Sequence, residues 1–233
     1  MNPRQRARVP GVPPENRLRV ATLLSAAGGC LDAFTWLAHG GVFANAQTGN
    51  VVLLGVSVAT AHWAQALRHV PPIVAFVVGV YAAYRLRIHE AHAGRHRSAL
   101  FSLGVEIALL LVVAILPRQF PDLPIVLGIA FVAALQNSSF TTVEGLTYNS
   151  VMTTGNLRRT AETFFAGVHP PRDPDALRHA RIFASICSTF AIGAGAGAFM
   201  TVRAGNAAVL LPAAALLLAF WLCRSGLAAT EAT

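Results

Sequence analysis

The sequence predicts an all-α integral membrane protein: six transmembrane helices plus two re-entrant or broken segments, arranged as two inverted-topology repeats. Three observations carry that expectation. Of 233 residues, 55% are hydrophobic and only 12% charged, and the mean hydropathy is +0.55, far from the mix of a soluble domain. Apolar runs recur at about 18–38, 98–116, 124–143, 182–202 and 206–223, with a shorter Pro-led run at 70–84; a hydrocarbon core about 30 Å thick needs about 20 such residues per helix. Thr-Gly-Asn occurs at 48–50 and again at 154–156, each time among apolar neighbours. The runs are continuous rather than alternating, so helices carry them and not barrel strands.

Residues 1–17, MNPRQRARVPGVPPENR, are rich in Pro and Arg and read as a disordered cytoplasmic tail. The run 18–38 follows those arginines as a signal peptide would. It exceeds the usual h-region and lacks a small-x-small cleavage site before the next span, so it reads as a retained anchor. Inside it, GGCLDAFTWLAHG carries Asp32. A carboxylate at helix centre costs about 2.5–3.5 kcal/mol on insertion scales unless protonated or paired. Helical spacing puts Gly28, Asp32 and His39 on one face. A proton relay through Asp32 and His39 and a structural cap by Asp32 both fit that placement.

The stretch VFANAQTGNVVLLG, 42–55, follows. Asn and Thr can cap free N–H groups and Gly allows a tight turn, so Thr48, Gly49 and Asn50 are expected to end an inward leg and begin a half-helix. That half-helix would hold unpaired N–H groups and positive dipole character near the midplane. A lone Thr-Gly-Asn could equally be a packing turn between helices. After the run 70–84 comes RLRIHEAHAGRHR, whose His89, Glu90, His92 and His96 lack the HExxH spacing of a zinc site and read as solvated loop residues. The run 98–116 closes a first repeat, 18–117.

A second repeat, 118–224, restates this order. An offset of 106 residues places Thr154-Gly155-Asn156 on Thr48-Gly49-Asn50, and ALRHA at 176–180 lies close to the counterpart of ALRHV at 66–70. Gln136, Asn137, Ser138 and Ser139 then fall at the depth of Asp32, with Ser138 directly equivalent to it; neutral amides and hydroxyls there can bond between helices or line a polar path. Arg158 and Arg159 enter the first turn of the second half-helix. IGAGAGAFM at 192–200 is a small-residue packing face. Residues 225–233 form a cytoplasmic C-terminal tail.

Arginine decides the orientation. The net charge is +8 and the pI 10.9, but every basic residue is Arg and the arginines cluster beside span ends, which points to membrane topology rather than to nucleic acid. If both Thr-Gly-Asn segments dip in and return, there are six spans with both termini cytoplasmic, and only Arg68, Arg118 and Arg203 face outward. If both cross, there are eight spans, the RLRIHEAHAGRHR loop moves outside and Arg158 and Arg159 are stranded in a span. The positive-inside rule selects six. Three spans per repeat is odd, so the repeats must be inverted, an architecture of secondary transporters and some channels. Cys30, Cys187 and Cys223 have no metal or redox spacing.

Two half-helix starts meeting at mid-membrane would suit an anion or a dipolar solute. The expected substrate-binding residues are Asp32, Thr48, Gly49, Asn50, Gln136, Asn137, Thr154, Gly155 and Asn156. The expected function is a transporter or channel-like permease for a small polar or anionic solute, acting in the lipid bilayer without catalysis, metal, cofactor or nucleic acid, with homo-oligomerisation allowed. An integral-membrane enzyme is the second class, with Asp32 and His39 as its nearest acid–base pair. A structural or assembly protein is the third.

GGCLDAFTWLAHGGVFANAQTGNVVLLG resembles the first signature of the YoaK family, bacterial inner-membrane proteins of about this size that carry a domain of unknown function. That signature commonly reads GYxDAxxFL and then GGxFxxxxTGN. ALQNSSFTTVEGLTYNSVMTTGNLRRTAE is similar to the family's QNA and TGxL region. Gly29-Cys30 stands where the family often has Gly-Tyr, and Ala46-Gln47 where Met often precedes the Thr-Gly-Asn. The resemblance implies a multi-pass bacterial inner-membrane protein and supplies no activity.

Overall fold

The computed structural model describes residues 12–93 and 98–231. Among them the regular structure is almost entirely helical: α1 (Leu18–Ala38), α2 (Gln47–Ala59), α3 (Trp63–Ala93), α4 (Ser98–Ile115), α5 (Asp122–Ser139), α6 (Thr153–Val168), α7 (Ala176–Ala204) and α8 (Leu210–Glu231). A two-residue hairpin, β1 (Thr142–Val143) and β2 (Leu146–Thr147), pairs antiparallel with Thr142 opposite Thr147.

Five helical stretches are long and apolar enough to cross a membrane: Leu18–Ala38, Trp63–Glu90, Ser98–Ile115, Asp122–Ser139 and Ala176–Gly226. The last contains both α7 and α8, whereas six separate runs were expected. Apolar composition continues through the 3-10 turn Gly205–Val209, and the break there is in the backbone, with Gly205 at φ +57°. Helix α3 outruns its expected apolar core at both ends and continues through Pro71 and Pro72. It takes in His89 and Glu90, which were expected in a loop; His96 lies outside the described residues. Pro14–Asn16 form a 3-10 turn with Pro14 buried, although residues 1–11 lie outside the described part, and α8 runs on to Glu231.

Contacts at the helix ends give the directions. The backbone N–H of Leu18, which opens α1, donates to Glu144 Oε1 just beyond the end of α5 (3.1 Å). At the other end His39, just past α1, meets Asp122 Oδ1 at the first residue of α5 (2.8 Å). Helices α1 and α5 therefore run antiparallel. Helix α7 runs parallel to α1, since Gly193 packs on Ala26 and Gly197 packs on Cys30. Helix α3 runs parallel to α5: Gly79 packs on Phe131, and Arg87 Nη1 donates to the Ser138 carbonyl (2.8 Å). Small residues make these contacts possible, because a Cβ at Gly29 or Gly193 would collide with the backbone carbonyl of Phe190 or Ala26. Between them, α1, α4, α5 and α8 bury the main apolar core, including Leu24, Phe34, Leu110, Ile129 and Leu216.

Candidate functional site

Two helices are too short to run the length of α1, and both begin beside its middle. After Ala38 the chain turns through Gly40 and Gly41, at φ +82° and +69°, and doubles back along α1. Three side-by-side contacts stitch this returning leg to the helix it has just left. Thr35 Oγ1 accepts from the Ala44 N–H (3.2 Å), Asp32 Oδ1 accepts from the Asn45 N–H (2.8 Å), and Asn45 Nδ2 donates to the Gly28 carbonyl (2.9 Å). The Ala46 N–H also approaches Asp32 Oδ1, at 3.4 Å. Gly28 lies at the centre of α1, so α2 starts halfway along it. An extended leg cannot satisfy its own N–H groups; here α1 does so from one face.

The second short helix starts at the same level from the opposite direction. Beyond the hairpin, Ser150 and Val151 lie against Gly28, where an added Cβ would stand 3.2 Å from Val151 Cγ1. The helix α6 begins two residues later. The N–H groups at positions 151 and 152, equivalent by the offset of 106 to those of Asn45 and Ala46, are satisfied differently. Asn149 Oδ1 accepts from both, at 3.0 and 2.9 Å. Ser138 stands where α1 has Asp32, and its hydroxyl is too short for that reach, so a local Asn turn replaces the helix carboxylate.

Asn50 and Asn156 do the same job as each other. Asn50 accepts from the Phe43 N–H at 2.9 Å and donates to the Phe43 carbonyl at 2.7 Å. Asn156 accepts from the Asn149 N–H at 3.4 Å and donates to the Asn149 carbonyl at 2.7 Å. In each case a carboxamide clamps both backbone groups of the residue seven positions earlier. Thr-Gly-Asn therefore lies inside the first turns of α2 and α6, and the Asn acts backward on the returning leg rather than capping forward. Gly49 does not make the turn either. It leaves room for the Phe43 ring, whose Cδ2 would sit 2.6 Å from an added Cβ.

The two starts open on one cavity of about 560 Å³. Asp32 and Thr48 border it from one side and Thr153, Thr154 and Gly155 from the other, while Trp36, Phe43, Met152 and Phe190 give it apolar walls. Trp36 and Phe43 stack there with ring centroids 4.8 Å apart. Asp32 is 5% exposed. Of the residues singled out from the sequence, Asp32, Thr48, Thr154 and Gly155 reach the cavity. Gly49, Asn50, Asn156, Gln136 and Asn137 do not border it. His39 is not part of a stripe with Asp32: it packs edge-on against Phe34, pairs with Asp122 at the end of the bundle and lines a separate pocket with Arg68.

Sequence reasoning gave no role to Asn45, Thr35 and Asn149, whose importance rests on where the leg returns and leaves no local pattern. It also passed over Glu106, for which a signal existed, a lone acid in an otherwise apolar run. Glu106 is fully buried on α4 between Leu103 and Leu110, and neither carboxylate oxygen has a hydrogen-bond partner among the described residues.

Residues 20–222 match the family described as "protein of unknown function (DUF1275)", and the chain belongs to it. No curated protein and no solved structure matches the chain.

Proposed function

We propose that this member of a family of unknown function is a multi-pass permease of the bacterial inner membrane, with cytoplasmic termini and two inverted repeats. A small solute would cross it by way of the cavity between the starts of α2 and α6. One observation carries the reading: two short helices approach from opposite ends, begin at the same level, and open on a cavity that also holds a carboxylate. Broken helices with starts at mid-depth around a polar pocket are how many secondary transporters expose backbone groups to a solute. Irregular backbone is tolerated at that depth only against protein or a water-filled space.

The inverted repeat draws support from the antiparallel course of α1 and α5 and from the way partners exchange. Helix α1 packs on α7 as α5 packs on α3, and α2 packs on α3 as α6 packs on α7. Broad apolar exposure supports a lipid setting: Val77, Ile192, Val202 and Trp221 are each more than half exposed on the outside of the bundle.

The test is flux through purified protein in liposomes, screened over small metabolites. Wild-type protein should move at least one solute faster than empty vesicles, and Ala33→Trp, which fills the cavity from α1, should stop it without loss of folded protein. A structural role has its own support, since Asp32, Asn50 and Asn156 all hold loops. That role becomes the better reading if no solute moves and Ala33→Trp changes nothing but stability.

A further inference from the structure

Resting on the permease reading, the sequence expectation of an anionic solute can be put to the cavity's own chemistry. Its walls bring one ionisable side chain, Asp32, and no arginine or histidine among the described residues. The backbone N–H groups just before the two short helices are committed. Those of Asn45 and Ala46 point at Asp32 Oδ1, and those of Val151 and Met152 at Asn149 Oδ1. An anion entering here would meet a carboxylate in a poorly hydrated space, which is repulsive. A cation would meet an acceptor and, beside it, the stacked rings of Trp36 and Phe43, whose faces attract positive charge. The wall made by Phe190, Met152, Ala194 and Ala198 is apolar and suits a hydrocarbon body, which a small inorganic ion does not have. A volume of about 560 Å³ accommodates an organic molecule with room to spare.

We propose that the cavity takes an organic ammonium ion with an apolar body, its charged head on Asp32 and its hydrocarbon against Trp36, Phe43 and Phe190. The uncapped first turn of α6, at Thr153 and Thr154, leaves space for a carboxylate on the same molecule. Simple amines and apolar amino acids therefore share the recognised chemistry.

The chain has three tryptophans, and Trp63 and Trp221 are exposed and away from the cavity. Changing both to Phe leaves Trp36 as the sole reporter in purified full-length protein. Titration with phenethylammonium, phenylalanine, phenylacetate and 2-phenylethanol, which share a ring and differ in charge, reads the preference directly from Trp36 fluorescence. Saturable binding of phenethylammonium at least tenfold tighter than phenylacetate and phenylethanol is expected, and phenylalanine matching or exceeding it would select the amino-acid source. Asp32→Asn keeps an oxygen to accept from Asn45 and Ala46, so the loop is retained while the charge is lost; it should weaken phenethylammonium at least tenfold. Equal or tighter binding of phenylacetate or phenylethanol overturns the proposal, as does unchanged binding by Asp32→Asn or no saturable binding by any probe. The charge comparison in the Asp32 protein decides even if that variant fails to fold. Binding without flux in liposomes would uphold the ligand class and sink the permease. Flux of an anion without ammonium binding would do the reverse.

Discussion

A buried carboxamide answers for most of what Thr-Gly-Asn does. Asn50 is completely buried, and its two bonds to Phe43 leave neither backbone group of that residue unpaired. Asn50→Leu would strand both. An unsatisfied buried group costs about 1–3 kcal/mol, so a loss of about 2–4 kcal/mol is expected, read as a lower thermal midpoint of the purified protein. Asn156→Leu should cost less, because its bond from the Asn149 N–H is long at 3.4 Å. Equal midpoints for wild type and both variants would refute the clamp. Glu106 is the opposite case, a buried acid without a partner among the described residues. With Leu103 and Leu110 on either side, Glu106→Leu exchanges an uncompensated polar group for apolar packing and should raise stability by about 1–3 kcal/mol. A fall in the midpoint would reveal a partner for the carboxyl that the bundle interior conceals.

At the scale of elements, close helix contact is what holds the half-helices in place. The level at which α2 and α6 start is referred to the middle of α1, and α1 is held in turn by α7 through glycines. Gly193 and Gly195 test this on a single helix. A Cβ at Gly193 runs into the Ala26 carbonyl, whereas one at Gly195 meets nothing within 4 Å. Gly193→Ala should destabilise by about 1–3 kcal/mol through forced separation of α1 and α7. Gly195→Ala should be neutral or gain up to about 1 kcal/mol from helix propensity. Matching thermal shifts for the two would mean that α1 and α7 are not in tight contact. The ends are fastened more loosely. Glu144 joins the start of α1 to α7 through the Leu18 N–H and Arg178, the latter at 3.6 Å with a partly exposed guanidinium, which is worth little by itself.

For the molecule as a whole, the decisive quantity is the side of the membrane on which the α2–α3 turn lies. In the six-span reading the turn near Gln65 is outside and the C-terminus inside. A periplasm-active reporter fused at Gln65 should therefore be active and one at the C-terminus inactive. An inactive Gln65 fusion would place the turn in the cytoplasm, make the α2 segment cross the membrane, and remove the inverted repeat. The two halves carry the same clamp on the residue seven positions back, yet satisfy equivalent N–H pairs through Asp32 in one and Asn149 in the other. Asp32 borders the cavity and Asn149 does not, so the cavity is chemically one-sided.

The helical class, the apolar helical stretches and the positions of the two Thr-Gly-Asn segments were all legible in the residues, because hydrophobic length and composition act locally along the chain. The presence of Asp32 in a span was legible for the same reason, as the cost of burying a charge does not depend on its neighbours' identity. What Asp32, Asn50 and Asn156 bond to was not legible, since it depends on the course of the leg that leads into each short helix. Their chemistry allowed a solute or a backbone as partner, and the tertiary structure chose the backbone for both Asn side chains. It also decided that Gln136 and Asn137, at the right depth by offset, do not border the cavity, and that Trp36 and Phe43 do. Depth follows from sequence position, but facing follows from how helices rotate against one another, and packing alone sets that rotation.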